Sequence, residues 1–312
     1  MKPVMSARIR KIVLFTSQDI GFSLVEMLAK RPNLSLFVVA DRTIRDDTYG
    51  YRSAIDACHT LGIAHVKASR VDETVKARIH EFAPDIVVSA YFPHIIPDDV
   101  IKEPPLGSIN VHPGMLPLYR GKFPTPWYIL NGEEYFGIAI HRIDSGIDTG
   151  DVFVQRQYPL PPAITGHELY RQTMIEGAAL LAEHLDSILD GSITAHPQEG
   201  TGSYYSTIEK RYHLDWNLSA AMIERRVRVH AKPFLPAFSY LFNRIIFINR
   251  AVKVELESYT AQGGGRILQV DASGHFIVSC ADGCLLIEEH DFYPPLSAEE
   301  RATHLRAGNR LE

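Results

Sequence analysis

The sequence has little cysteine, no long apolar run and no excess of positive charge, and each lack removes a class of protein. Only three cysteines, Cys58, Cys280 and Cys284, occur among 312 residues. That is too few for a disulfide framework and points to a reducing compartment, the cytoplasm. Cys280 and Cys284 flank Ala281-Asp282-Gly283, which reads as a hairpin turn, and no further ligands stand at the spacing a zinc site needs. No uninterrupted run of about 18 apolar residues is present, and the amino terminus lacks a signal-peptide core, so neither a membrane-spanning nor a secreted chain is expected. The formal net charge is -5, which disfavours a broad nucleic-acid surface. No repeat of fixed period is visible. The first apolar run is followed by Thr16-Ser17-Gln18-Asp19-Ile20-Gly21 rather than G-x-G-x-x-G, so the dinucleotide fingerprint is missing and a nicotinamide enzyme is set aside.

What is present is ample apolar residue for a core, 46% hydrophobic against 22% charged, in a length that suits two domains. The first half alternates short apolar runs with helical stripes. Runs at 11–15, 34–40, 65–66, 85–89 and 108–112 read as strands, and stretches at 19–29, 53–61 and 71–82 as helices. That alternation predicts an α/β fold with a mostly parallel, doubly wound sheet. A long helix follows, opened by a Thr165–Glu168 capping box and stopped at Gly191. The Gly/Ser/Thr/Tyr-rich stretch 197–206 reads as a linker. Beyond it come a helix at 219–229 and short strands at 245–249, 251–256, 266–270, 275–280 and 285–289, which suggest a small barrel or sandwich.

Asn110 and His112 lie one residue apart at the carboxyl end of a strand, so both side chains point to one face. Open α/β sheets place ligands at that end. An amide that donates to a developing oxyanion, beside an imidazole that accepts a proton from an attacking amine, suits acyl transfer. The same pair also suits a turn before Pro113 with a histidine packed at the sheet end. The turn-rich run Pro113-Gly114-Met115-Leu116-Pro117 follows, then Tyr119-Arg120-Gly121. A second loop, 143–151, holds three aspartates in eight residues, Asp144, Asp148 and Asp151. Its spacing does not match a calcium loop, and a single aspartate there would hold His112 in one tautomer and raise its pKa. Three side chains then fill three roles without a metal.

Taken together, N-V-H-P-G-M-L-P-L-Y-R-G and I-D-S-G-I-D-T-G-D resemble the signature of the folate-dependent formyltransferases. The resemblance covers roughly residues 11–189. It implies a Rossmann-like formyltransferase domain over 1–200, followed by a small β-rich, OB-like domain over 207–312. It implies N10-formyltetrahydrofolate as formyl donor and Asn110, His112 and Asp148 as the catalytic trio. His94, Ile95 and Ile96, the loop Pro113, Gly114, Met115 and Leu116, and the loop Asp144, Ser145, Gly146 and Ile147 would line the pterin pocket. Where the family usually carries Ser-Leu-Leu-Pro this chain has Gly114-Met115-Leu116-Pro117, so a serine hydroxyl is lost there. Lys122 stands where a sugar-modifying branch often has arginine and is assigned to substrate. Arg225, Arg226, Arg228, His230 and Lys232 form a basic cluster that would meet phosphate, with a solvated helix face as the other reading. Trp216, Tyr240 and Phe242 would stack on a base or pack in a core.

A β extension after the catalytic region is similar to two branches, the nucleotide-sugar enzymes and the initiator-tRNA enzymes. The acidic balance and the confined basic cluster favour a nucleotide-linked amino-deoxy sugar as acceptor, with no nucleic acid and no membrane as partner. Methionyl-tRNA is the alternative, and an inactive member serving as a binding module is a third. A homodimer is the assembly carried forward.

Overall fold

The computed structural model describes residues 8–42, 49–256 and 263–312. The chain forms two compact units. The first runs to Pro124 and resumes over Tyr135–Pro159 and Arg171–Thr207; the second comprises Thr125–Glu134, Leu160–Tyr170 and Ile208–Glu312.

In chain order the first unit begins with β1 (Arg10–Thr16), α1 (Gln18–Ala29), β2 (Leu34–Asp41), α2 (Ala54–Leu61) and β3 (Ala64–Ala68). It continues with α3 (Glu73–Phe82), β4 (Ile86–Ala90), α4 (Asp98–Lys102), β5 (Ser108–His112) and β6 (Arg120–Gly121). After α5 (Thr125–Asn131), which belongs to the second unit, come β7 (Tyr135–Arg142), β8 (Val152–Pro159), α6 (Gly166–Leu189), whose first turn also belongs to the second unit, and β9 (Tyr204–Tyr205). The large sheet has the order β3-β2-β1-β4-β5-β7-β8. β1 to β5 pair in parallel, as their continuous apolar runs require when helices cover both faces, and β7 and β8 add antiparallel. Val13, Phe15, Phe37, Val39, Val75, Ile79 and Val87 form one such covered core. The sheet is therefore mostly parallel, as expected. β7 and β8 are not marked by the β/α alternation. β7 carries Gly137 in mid-strand, and β8 is an edge strand whose Gln155, Arg156 and Gln157 face solvent.

In the second unit α7 (Ala220–Val229) accompanies β10 (Ala237–Leu241), β11 (Arg244–Val254), β12 (Ile267–Val270), β13 (Phe276–Ser279), β14 (Cys284–Tyr293) and α8 (Ala298–His304). The five strands form an antiparallel sheet of order β10-β11-β14-β13-β12. The two strands expected at 245–249 and 251–256 are one strand, β11, interrupted by a bulge between Ile248 and Ala251. Both edges of the sheet are joined through the last residues: Leu311 bridges Leu241 beside β10, and Arg310 bridges Arg266 beside β12. That closure leaves little open edge. The core holds Trp216, Ile223, Val227, Ile246, Ile248, Phe276, Leu285, Ile287 and Leu311. Among the described residues no helix is long and apolar enough to cross a membrane.

Candidate active site

β5 ends on Asn110 and His112, between β4 on one side and β7 on the other. Asn110 sits opposite Ser89 of β4 and His141 of β7, and His112 opposite Ala139. The loop from β7 to β8 turns back over this end. Asp144 shapes it, its Oδ1 accepting from Gly146 N–H at 3.0 Å and from the Thr149 hydroxyl at 2.7 Å. A Cβ on Gly150 would lie 2.0 Å from the Arg142 carbonyl oxygen, so only glycine lets the loop close on β7 here. Asp148 is delivered in the left-handed region, φ 54°.

The three side chains meet. Asn110 Nδ2 donates to Asp148 Oδ1 at 3.3 Å, and His112 Nδ1 lies 3.6 Å from the same oxygen. His112 Nε2 is 2.7 Å from the Tyr119 carbonyl oxygen, which can only accept, so Nε2 carries the proton and the lone pair of the neutral ring is on Nδ1. Asp148 Oδ2 accepts from Gly121 N–H at 2.9 Å. A fourth residue, unmarked by the sequence analysis, completes the cluster. His141 Nε2 lies 3.4 Å from Asp148 Oδ1 and 3.3 Å from Asn110 Nδ2, while its Nδ1 donates to the Arg142 carbonyl at 2.7 Å. Its signal in the sequence is slight: a lone histidine in a strand that the pattern does not mark.

Burial lowers the pKa of His112 below the usual histidine range; the Asp148 charge raises it, His141 lowers it, and the Tyr119 carbonyl raises it. Burial on its own would raise the pKa of Asp148. The neighbouring His112 and His141 and the Gly121 N–H outweigh it and hold the carboxyl well below its ordinary range. The site thus pairs a neutral imidazole with a fixed carboxylate, and an amide donor stands beside them. Among the described residues no group of three His, Cys, Asp or Glu is placed to hold a metal ion.

The other expected site residues fall in several surroundings. His94 Nε2 bonds Asp41 Oδ1 at 2.7 Å, Ile95 is 90% exposed, and Ile96 packs into the core beside Val100. Pro113, Gly114 and Leu116 are buried, and the Met115 side chain occupies the space above Gly137 of β7. A Cβ on Gly114 would meet His112 Nε2 at 2.6 Å, so the place of a family serine must stay glycine in this loop path. Asp144, Ser145, Gly146 and Ile147 are all exposed, Ile147 at 66%. Lys122 is exposed beside β6.

In the second unit the basic cluster is not one open cationic surface. Arg228 pairs with Glu224 and donates to the Ile164 carbonyl, and Lys232 pairs with Asp291 at 2.8 Å. The Arg225 guanidinium lies against Gly132, and Arg226 lies over the Tyr212 ring. His230 is buried, its pKa lowered to about 4 by burial and by the Arg226 charge. Trp216 is a core residue that donates to Ser239 Oγ, whereas Tyr240 and Phe242 are exposed. The stretch 197–206 is not a free linker either. β9 pairs with β6, and Gln198 and Ser203 bond the loops around His112 and Asp148. Glycine and serine there permit close backbone approach.

Comparison with known proteins gives the family. The formyl transferase family model matches residues 10–185, and that of the formyl transferase C-terminal domain matches 208–303. A methionyl-tRNA formyltransferase of Pelobacter propionicus is 31% identical over 293 residues, 90% of this chain and 88% of that protein. One from Ruminiclostridium cellulolyticum is 34% identical over 217 residues, 69% of each chain. Among solved structures, an N-formyltransferase from Helicobacter canadensis, in complex with folinic acid and dTDP-3-aminofucose, superposes with a TM-score of 0.72 at 19% identity. It covers 90% of this chain and 99% of that one. Matched in both parts of its length, the chain belongs to the formyl transferase family and is a formyltransferase.

Proposed function

We propose that this formyltransferase moves the formyl group of N10-formyltetrahydrofolate to the primary amine of a nucleotide-linked amino-deoxy sugar, in the cytoplasm. The observation that carries the transfer chemistry is the bond from His112 Nε2 to the Tyr119 carbonyl, which leaves Nδ1 as the base on the side of Asp148 and Asn110. Nδ1 takes the proton that the amine loses on attack, and Asp148 stabilises the resulting imidazolium. Asn110 Nδ2, held by long bonds of 3.3 Å, turns one hydrogen to the formyl oxygen as negative charge grows there.

The donor suits what the first unit offers. Ile95, in the loop after β4, and Ile147, in the loop from β7 to β8, hold large apolar side chains out to solvent. Apolar side chains would cover a flat ring and backbone groups would read its polar edge. The donor supplies the formyl carbon, and His112 would return the proton held on Nδ1 to the donor nitrogen as the bond between that nitrogen and the formyl carbon breaks, so that tetrahydrofolate leaves neutral.

The acceptor class rests on charge. A tRNA calls for a broad cationic surface, and here the net charge is -5 and the cations of residues 225–232 are largely paired or buried. The dTDP-sugar bound by the Helicobacter protein is consistent with the smaller substrate. The second reading is methionyl-tRNA, favoured by the 31% identity over 90% of the chain to the Pelobacter enzyme. The test offers formyltetrahydrofolate with a panel of nucleotide-linked amino sugars and with charged initiator tRNA. Turnover of a sugar and none of tRNA is expected. Efficient tRNA formylation, weakening steeply as salt rises, with no sugar accepted, overturns the reading.

A further inference from the structure

Both anchors of the His112–Asp148 pair lie on one short segment. Tyr119 supplies the carbonyl that binds His112 Nε2, and Gly121 supplies the N–H that binds Asp148 Oδ2. The segment is irregular, with positive φ at Tyr119 (61°) and Gly121 (101°). Its supports come from residues 198–205. Ser203 Oγ accepts from Tyr119 N–H at 3.0 Å, the Ser203 carbonyl from Arg120 N–H at 3.0 Å, and the Tyr205 carbonyl from Lys122 N–H at 3.0 Å. The Tyr205 ring stacks on that of Tyr119 with centroids 4.9 Å apart. A Cβ on Gly121 would lie 2.3 Å from the Tyr205 carbonyl oxygen, so the two backbones meet more closely than any side chain allows.

Gln198 ties this assembly to the loop that carries Asp148. Its Nε2 donates to the carbonyls of Asp148 and Gly150, both at 2.8 Å. Its Oε1 accepts from Arg120 Nε at 3.1 Å and from the second guanidinium nitrogen at 2.6 Å. Only one amide orientation satisfies these four bonds, since the flipped form would set its oxygen against two carbonyls and its NH2 against a guanidinium.

We infer that Gln198 is a positioning residue for formyl transfer: by locking the Asp148 loop to the Tyr119–Gly121 segment, it sets the distance from the Asp148 carboxylate to His112 Nδ1. The inference rests on the proposed role of His112 as base. A loop displaced by about 1 Å can cost roughly 10²-fold in rate. Among the described residues the ionisable groups that face His112 are Asp148 and His141, and of these Asp148 lies on the loop that Gln198 holds.

The test is Gln198→Met, which keeps the length and removes all four bonds, alongside Gln198→Glu, which keeps the acceptor for Arg120 and removes both donors. Turnover with formyltetrahydrofolate and the accepted amine is measured with each KM, and the imidazole of His112 is titrated by NMR without substrate. Expected for both variants are a kcat lowered about 10- to 100-fold and KM values within about twofold of the parent, and for Gln198→Met, which adds no charge, a His112 titration moved to lower pH as the carboxylate recedes. Parent-like kcat and titration in Gln198→Met overturn the inference, even if its Tm falls. Should Gln198→Met not fold, Ser203→Ala, which frees Tyr119 N–H, is expected to shift kcat and titration the same way, and unchanged values there overturn it equally. A His112→Ala control separates the two readings: normal turnover in it sinks the base assignment, whereas loss there with a parent-like Gln198→Met sinks the positioning role alone. The titration needs no acceptor and stands whichever amine proves to be the substrate.

Discussion

At His112 two influences oppose, and burial wins over the nearby carboxylate. The neutral imidazole is therefore the resting form at neutral pH, as a general base requires. The acid limb of kcat/KM should fall below the ordinary histidine pKa. Asp148→Asn removes the one charge that raises His112, so its titration should move lower still while kcat falls, because the imidazolium loses its counter-charge. A pH–rate profile of the two proteins checks both. Asn110→Ala should lower kcat by roughly 10²-fold, the scale of a lost oxyanion donor, with little change in folding. Near-normal turnover in that variant would remove Asn110 from the chemistry. That Asn110, His112 and Asp148 meet was legible because two of them share a strand face and the third sits in a loop dense in aspartate and glycine. His141 was not legible, since it joins the cluster through the antiparallel pairing of β7 with β5, which no local pattern announces.

Elements were legible where period and punctuation agree. The Thr165–Glu168 box closes as read, with Glu168 N–H donating to Thr165 Oγ1 and Thr165 N–H to Glu168 Oε2. The turn between Cys280 and Cys284 is a hairpin, and it has a second task. Asp282 Oδ1 accepts from Ala220 N–H at 2.8 Å, adding a cap at the start of α7 to that of Ser219. Asp282→Ala should cost about 1 kcal/mol of stability, typical of a lost amino-terminal cap, read as a lower urea midpoint at unchanged slope. Gly114→Ala tests the loop after β5: its methyl would meet the Tyr119 carbonyl at 2.7 Å as well as His112, so the His112–Tyr119 bond must open and kcat must fall. A variant with parent activity would show that the loop has slack. The strap at 198–205 escaped the sequence because Gly, Ser and Tyr serve equally in a flexible linker and in a tight backbone crossing. Only the partner decides which.

In the second unit two histidines, His230 buried and His290 half-buried, make stability depend on pH. The pKa of His230 is lowered to about 4 by burial and the Arg226 charge, and that of His290 to about 4 by burial and the Arg301 charge. Unfolded, both titrate near 6.5, so between about 6.5 and 4 the unfolded chain binds more protons and stability falls as pH falls. Urea midpoints measured down that range should drop. His230→Phe keeps a ring stacked on Tyr212 and removes one titration, so its drop should be smaller; an equal drop would place the acid sensitivity elsewhere. At the scale of the whole molecule, the sequence by itself determined the mostly parallel sheet, the β-rich carboxyl-terminal part and the strand that carries Asn110 and His112. Those follow from local physics: apolar period, caps and turn residues act over a few positions. The tertiary structure alone decided that Thr125–Glu134 and Leu160–Tyr170 group with the second unit, that Arg228 and Lys232 pair with carboxylates, and that the lone pair of neutral His112 lies on Nδ1. Each of these is set by a partner far away in sequence, and a carbonyl seven residues on or a carboxylate fifty-nine residues on leaves no mark in the pattern around the residue it binds.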